Sequence, residues 1–412
     1  MSGGGAPQGA GSGGEGCTCV ADEEGCRLEE DGGSGFSDIS DSELLSLQDA
    51  AESGDTCSAK KEGLEIIHDN CGKSDVSTGA EQGHHSHHMG LNSAENPVPS
   101  DSAQRKRKQK SPTPLEKYSM KHLAVTDICN QIWCEQQMVY KIEQPTVHRP
   151  ESRAIINEGS SIHLARELEV HDVVPVTTQS REDSWALKCL NILAMIPVLQ
   201  SGGRIREFPV FRELDGIMVV GVIDELGYSS KGELELRELK TRATPTLPRL
   251  AQKKSHELQV CLYKLLFDGM VSGVLQADAV MQHENLRPEQ ELGADVKEHA
   301  IKCGLTVTTL RDVLELTFLN LTFSELPRID SLKLEYCYQG DSSFLGFDTV
   351  TFKEESVMEQ VTFYLSYWKG QRDIQGVDIE DAWKCRMCDF ADICEWRRNT
   401  PRLYRTMTKR FK

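Results

Sequence analysis

The sequence predicts a mixed α/β domain, with helices packed around a small mixed sheet and α-helical insertions between its elements. Three observations point there. Helix-like and strand-like patterns alternate along the ordered part of the chain, instead of one type filling it. Residues 217–224, "IMVVGVID", are almost wholly apolar, as a central strand buried on both faces is. Residues 233–240, "ELELRELK", alternate with a period of two, so Leu234, Leu236, Glu238 and Lys240 share one face.

That domain is expected over 113–412, following a disordered tail over 1–112. The tail is rich in Gly, Ser and acids, with too few large apolar side chains to offset chain entropy. The chain carries a net charge of −18, and residues 1–104 hold 20 acids against 4 bases, or −16. The body is therefore near neutral, with room for a local basic patch. Within the tail, "DISDSELLSLQ" (38–48) is an acidic-amphipathic island and "HHSHH" (84–88) a polar tract. The basic run "QRKRKQK" (104–110) reads as a nuclear import signal, a DNA-touching arm or a solvated linker. Fourteen cysteines, no apolar leader at the start and no membrane-length apolar run suggest a reducing compartment, nucleus and cytosol. A mitochondrial presequence is not supported by the acidic N-terminus.

The elements follow in order. "SMKHLAVTDICNQIWCEQQMVYKI" (119–142) reads as an N-capped helix, and "NEGSSIHLARELEV" (157–170) as a second. "DSWALKCLNILAMIPVLQSGG" (183–203) is a buried helix ended by Gly202 and Gly203. Strands are expected at 205–211, 215–226 and 232–242, then a long helix over 248–270. Residues 290–330 read as an α-rich insertion, 331–340 and 347–352 as strands, and 356–370 as a helix that leads into the last cysteines.

Chemistry concentrates in the hairpin. "SSKG" (229–232) has turn composition, and a turn centred near residue 231 sets Asp224 opposite Glu238. Two carboxylates at that spacing repel unless a cation lies between them, and a hard ion such as Mg²⁺ or Mn²⁺ suits the pair. Lys240 lies on the same face, placed to orient or deprotonate a water and to offset developing phosphate charge. Ordinary salt bridging of Glu238 with Lys240 or Arg242 is the competing reading. His163, four residues after Gly159 in "GSSIH", offers a nitrogen to the same ion, or is simply a packed helix histidine. Gln259 and Tyr263 are an i, i+4 pair suited to gripping a phosphodiester backbone or a base, or are only a helix flank. Near the C-terminus, Cys385, Cys388 and Cys394 form C-x₂-C-x₅-C, three ligands of a four-ligand soft-metal site. Cys129 and Cys134 both lie upstream as candidates for the fourth, and either zinc or an iron–sulfur cluster fits four thiolates. Cys189, Cys261, Cys303 and Cys337 read as small core residues.

Together, Asp224 followed by Glu238-Leu239-Lys240, with "GSSIH" and "QVCLY", resembles the PD-(D/E)xK nuclease core and the motifs of its RecB-like branch. With the cysteines, the chain is similar to the exonuclease V family over roughly residues 115–405. The resemblance implies a restriction-endonuclease-like core. It implies a Mg²⁺ or Mn²⁺ ion held by His163, Asp224, Glu238 and the Leu239 carbonyl, with Lys240 assisting the water. Glu207 matches a further acid of some members. By the same resemblance Gln259 and Tyr263 contact DNA, and Cys134, Cys385, Cys388 and Cys394 ligate a 4Fe–4S cluster that staples the domain. The expected function is metal-dependent exonuclease action on single-stranded DNA in repair or replication. The expected state is a monomer that recruits a single-strand-binding or repair protein through its tail. An inactive DNA-binding scaffold and a zinc-bearing structural protein are the alternatives. No G-x₄-G-K-[ST] motif is present, so no helicase motor is expected.

Overall fold

The structure is a computed structural model that describes residues 111–145, 147, 150–170, 175–386 and 388–399. The expected disordered tail, its histidine tract and its basic run lie outside the described residues, apart from the last two positions of the tail.

The first described helix is α1 (Pro114–Lys117), which Thr113 and Glu116 close as a capping box. The helix expected from residue 119 starts later. Residues 122–124 are instead a short strand, β1 (His122–Ala124), and α2 runs Val125–Glu143. Leu123 and Ala124 are buried, and as a strand they extend the sheet in parallel with residues 218–220. The Asp127 carboxylate accepts the Ala124 amide at 2.9 Å and so makes the abrupt strand-to-helix change. Inside α2 only Cys134 leaves helical geometry, with φ −171° and ψ 114°.

Then follow α3 (Pro150–Glu167), α4 (Arg181–Gln200), β2 (Ile205–Leu214), β3 (Ile217–Tyr228) and β4 (Leu234–Arg242). Ser180 caps α4, and the chain leaves it through Gly202 at φ +80° with Gly203 N donating to the Val198 carbonyl. The long helix is α5 (Leu250–Val271). The α-rich insertion is α6 (Ala277–Glu284), α7 (Ala294–Lys302) and α8 (Leu310–Phe323). The chain closes with β5 (Ser331–Tyr338), β6 (Phe344–Val350), α9 (Glu354–Trp368), a 3₁₀ segment (Ile379–Arg386) and α10 (Glu395–Asn399). Cys303 departs from its expected core role: it is half-buried at the end of α7.

The mixed α/β class is what the chain adopts. The six strands form one open sheet in the order β1-β3-β4-β5-β6, with β2 on the other edge of β3. β1 with β3 and β4 with β5 are parallel, and the other pairs are antiparallel. α5 packs against the sheet with α2 and α4 nearby, and α3 lies against β4. Among the described residues no helix is long and apolar enough to cross a membrane.

One feature of the sheet positions everything that follows. β2 pairs with β3 from residue 217 to 226. On its opposite edge β3 pairs with β1 over 218–220 and with β4 over 225–228. Residues 221–224 fall in the gap where one partner leaves before the next arrives. Gly221 stands there because a Cβ would lie 2.7 Å from the Tyr263 ring of α5 and 3.0 Å from Val125.

Candidate active site and cysteine cluster

The hairpin register is the expected one. Glu225 pairs with Arg237 and Leu226 with Leu236, so the next step would bring Asp224 opposite Glu238. The ladder stops one step short of it. Asp224 turns its own carboxylate into the gap, and Oδ2 accepts the Leu239 amide at 2.7 Å. A side chain thus takes the place of a backbone carbonyl, which lets the strands part without orphaning a buried N–H.

At that parting three donors converge. One ligand atom each from His163, Glu207 and Asp224 lie within 4.8 Å of one another. His163 Nδ1 is 3.7 Å from Asp224 Oδ2. Glu207 reaches the group from β2, across from Asp224, by adopting φ +54° in mid-strand. A non-glycine residue in the left-handed region costs about 1 kcal/mol or more, and such strain gathers at functional positions. Two carboxylates and one imidazole are a donor set for a small divalent ion, so the residues present fit one.

Of the expected set, His163 and Asp224 are in this group and Glu238 and the Leu239 carbonyl are not; Glu207, the further acid that the resemblance matched, completes it. Glu238 is 2% exposed and its Oε1 faces another way, accepting from Lys240 Nζ at 3.1 Å and Gln259 Nε2 at 2.9 Å. Lys240 is 3% exposed, so its ammonium is held beside Glu238 and not in an ordinary surface pair. The Leu239 side chain packs with Ile162 of α3 and Cys337.

Gln259 and Tyr263 also differ from expectation. They share a helix face, but they are 4% and 0% exposed, and Gln259 Nε2 donates to both Glu238 Oε1 and the Tyr263 hydroxyl (2.9 Å each). In this structure the Gln259 amide holds Glu238 and the Tyr263 hydroxyl. Gly221, which admits the Tyr263 ring, was not picked out from the sequence. A glycine inside an otherwise apolar strand was the available signal.

Away from the sheet the four expected cysteines come together. Cys134, Cys385, Cys388 and Cys394 line one small pocket with Gln137, Tyr140 and Trp396. The break in α2 at Cys134 falls at this member of the group, whereas Cys129 is in the main core. Burial pushes the Cys134 thiol up to about 12, with the three other cysteines adding to the rise, and burial pushes Cys385 up to about 11. Thiols raised in this way resist ionisation unless a cation joins them, and the four soft donors of the group fit either zinc or an iron–sulfur cluster. The seat is built by stacking: Tyr140 lies on Phe390 and Trp133 is edge-on to Trp383. Beside it the Glu135 carboxylate takes Arg372 through both oxygens, at 2.8 and 2.5 Å, and the Gln375 amide at 2.7 Å.

With this geometry in hand, similarity to known proteins is specific. A family model described as exonuclease V, a 5′ deoxyribonuclease, matches residues 113–238, 229–303 and 301–397. A curated exonuclease V of Danio rerio is 43% identical over 371 residues, covering 88% of this chain and 93% of the relative. Among solved structures, one titled crystal structure of SSO0001 aligns with 69% of this chain and 93% of its own, at 13% identity and a TM-score of 0.34.

Proposed function

The chain belongs to the exonuclease V family and is a deoxyribonuclease, and from that premise we propose that it degrades single-stranded DNA by metal-dependent hydrolysis at the Asp224 site, in repair or replication. The observation that carries this reading is the convergence of His163, Glu207 and Asp224 beside the Glu238–Lys240 pair.

In this proposal His163, Glu207 and Asp224 would hold Mg²⁺ or Mn²⁺, and Glu238 and the Leu239 carbonyl would be the further ligands that the resemblance implies. Such an ion supplies Lewis-acid activation of the attacking water and neutralises charge on the phosphoryl group. The chain's own residues do the rest. The Leu239 amide fixes the direction of the Asp224 carboxylate. Gln259 fixes that of Glu238. Lys240 offsets the developing phosphoryl charge and orients the attacking water, whose proton passes to Glu238. The water oxygen joins phosphorus, the P–O bond to the sugar breaks, and the departing sugar oxygen takes its proton from solvent water.

We further propose that the four cysteines hold a 4Fe–4S cluster with a structural task, since no thiol lies among the candidate catalytic donors. Purified protein with iron and sulfide in stoichiometric amount supports that assignment, and colourless protein with one zinc overturns it. Location in the nucleus and cytosol, a monomeric state and a protein partner for the acidic tail complete the reading.

End-labelled linear and circular single-stranded DNA with Mg²⁺ test the function. Linear strands should be shortened from an end and circles spared. Asp224→Ala and Lys240→Ala should abolish cleavage, and thermal melts at the assay temperature establish that each variant remains folded despite the buried partner it leaves behind. Full activity in Asp224→Ala would sink the assignment of the site.

A further inference from the structure

Helix α5 meets one face of the sheet with a polar stripe. Glu238 and Lys240 of β4 share that face by strand alternation, and Gln259 of α5 bonds Glu238 there at 2.9 Å. Residues paired in a ladder project to the same face. In the parallel β4–β5 register Lys240 pairs with Tyr336, so Tyr336 stands beside it on the α5 side. The hydroxyl of Tyr336 and Nδ1 of His256 share a hydrogen bond of 3.4 Å. Lys253 Nζ lies 6.0 Å from the Tyr336 ring centroid and pairs with Asp348 at 2.6 Å. Asp348 belongs to the register row of Glu238, through Leu334. Lys253, His256 and Gln259 follow at steps of three along α5, and they reach β6, β5 and β4 in turn.

The His256–Tyr336 pair is deeply buried, at 6% and 0% exposure, with ring centroids 6.0 Å apart. A phenol and an imidazole out of water each need a polar partner. Apolar side chains of like size would fill the same space without that demand. The hydroxyl and the ring nitrogen therefore add direction to the packing. What they direct is the Tyr336 ring, the lateral neighbour of Lys240. Lys240 is 3% exposed and carries its ammonium on a flexible four-carbon stem, with Nζ 3.1 Å from Glu238 Oε1. The proposed reaction needs both members of the Glu238–Lys240 pair in place, and the Gln259 bond goes to the acid alone.

We propose that His256 is a positioning residue for the reaction and acts through Tyr336. Their hydrogen bond fixes the Tyr336 ring as the wall that keeps the Lys240 ammonium on Glu238 and at the attacking water. The proposal rests on the role of Lys240 in the proposed function and adds the residues that hold it. It acts on the charge that meets the phosphoryl group and not on His163, Glu207 or Asp224, which stand on α3, β2 and β3.

Steady-state cleavage of a labelled single-stranded oligonucleotide by the full chain tests it. His256→Leu and Tyr336→Phe should each lower kcat by about tenfold to a hundredfold, as slight misplacement of a reacting group does. KM for DNA and the Mg²⁺ concentration for half-maximal activity should stay at their wild-type values. His256→Asn, whose amide can stand in for Nδ1, should recover most of kcat. The double variant should lose no more than the worse single one, since both changes break one bond. Melting curves establish that the variants are folded, and Tyr336→Phe keeps the ring and so tests the bond even if His256→Leu does not fold. Nitrogen NMR of the lysine ammonium groups reads the position directly: the signal that Lys240→Arg removes should shift or broaden in Tyr336→Phe. Wild-type kcat in folded Tyr336→Phe, or an unmoved Lys240 signal, overturns the proposal. A raised Mg²⁺ requirement also overturns it, because the pair would then serve the metal donors. A wild-type chain that leaves single strands intact, or a Lys240→Ala variant that still cuts them, overturns the proposed function instead.

Discussion

Gln259 carries the sharpest consequence at the scale of single residues. It is buried and bonds Glu238, and in the proposed mechanism it aims that carboxylate. Gln259→Leu should reduce cleavage by about tenfold to a hundredfold and raise the Mg²⁺ concentration for half-maximal activity, as loss of a supporting hydrogen bond does. A Mg²⁺ titration decides this: an unchanged metal response with weaker DNA binding would return Gln259 to direct substrate contact. Asp127 gives a second consequence. Burial pushes its carboxyl up to about 6, against the Ala124 hydrogen bond and the nearby His122, which both lower it. The folded state then keeps this proton where the unfolded chain has lost it. Stability from this group is full below about pH 4 and falls as pH rises through 6, by at most about 3 kcal/mol. Asp127→Asn should remove that slope, visible as a wild-type-minus-variant difference in Tm between pH 4 and 7 that flattens above 6.

Among the elements, β3 decides most. It pairs on one edge with a single strand and on the other with two in succession, and the candidate site occupies the change. Gly221→Ala places a methyl group 2.7 Å from the Tyr263 ring. Overpacking of that kind costs about 1–3 kcal/mol. Tyr263 must move, and with it Gln259 and Glu238, so activity should fall more than stability does. Parallel thermal melts and rate measurements check this, and a fall in Tm with full activity would disconnect the two. Much of β3 and β4 was legible in the sequence. An unbroken apolar run marks a central strand, and turn residues fixed a register good to the residue. What local patterning could not convey was the end of the ladder at Asp224, because the strands part there through a side-chain hydrogen bond. Nor could it convey that Glu207 would take a left-handed backbone to join His163, since nothing in "IREFPVF" departs from strand composition. The lost first turn of α2 has a like cause. Residues 122–124 have helix-compatible neighbours, and only the sheet edge beside 218–220 draws them into a strand.

For the whole molecule, the cysteine group ties α2 to the segment after α9, and the Glu135–Arg372 pair ties the same two regions without metal. A cross-link over a loop of about 250 residues removes about 5 kcal/mol of unfolded-chain entropy. Cys134→Ser should therefore lower the Tm of the entire domain by more than about 10 °C in one transition, and should deprotect β3 amides to hydrogen exchange. A separate early transition confined to 372–399 would show that the cluster serves only its own end. The three clustered cysteines were plain in the sequence, and the choice of Cys134 over Cys129 rested on resemblance. The structure adds the local reason: the chain breaks its helix at 134.

That break has a consequence in time. Trp133 and Lys384 touch across 251 positions of the sequence. A ribosome makes the chain from its amino end, so Cys134 must wait for those positions to be added before its three companions exist. The helix bearing His163 and the strands bearing Glu207, Asp224 and Glu238 emerge during that wait, before the last three cysteines exist. A polypeptide released early would hold every candidate catalytic residue and lack the clasp. A premature stop codon after Lys240 and before Cys385 should therefore yield a product that carries the candidate catalytic residues but not the last three cysteines.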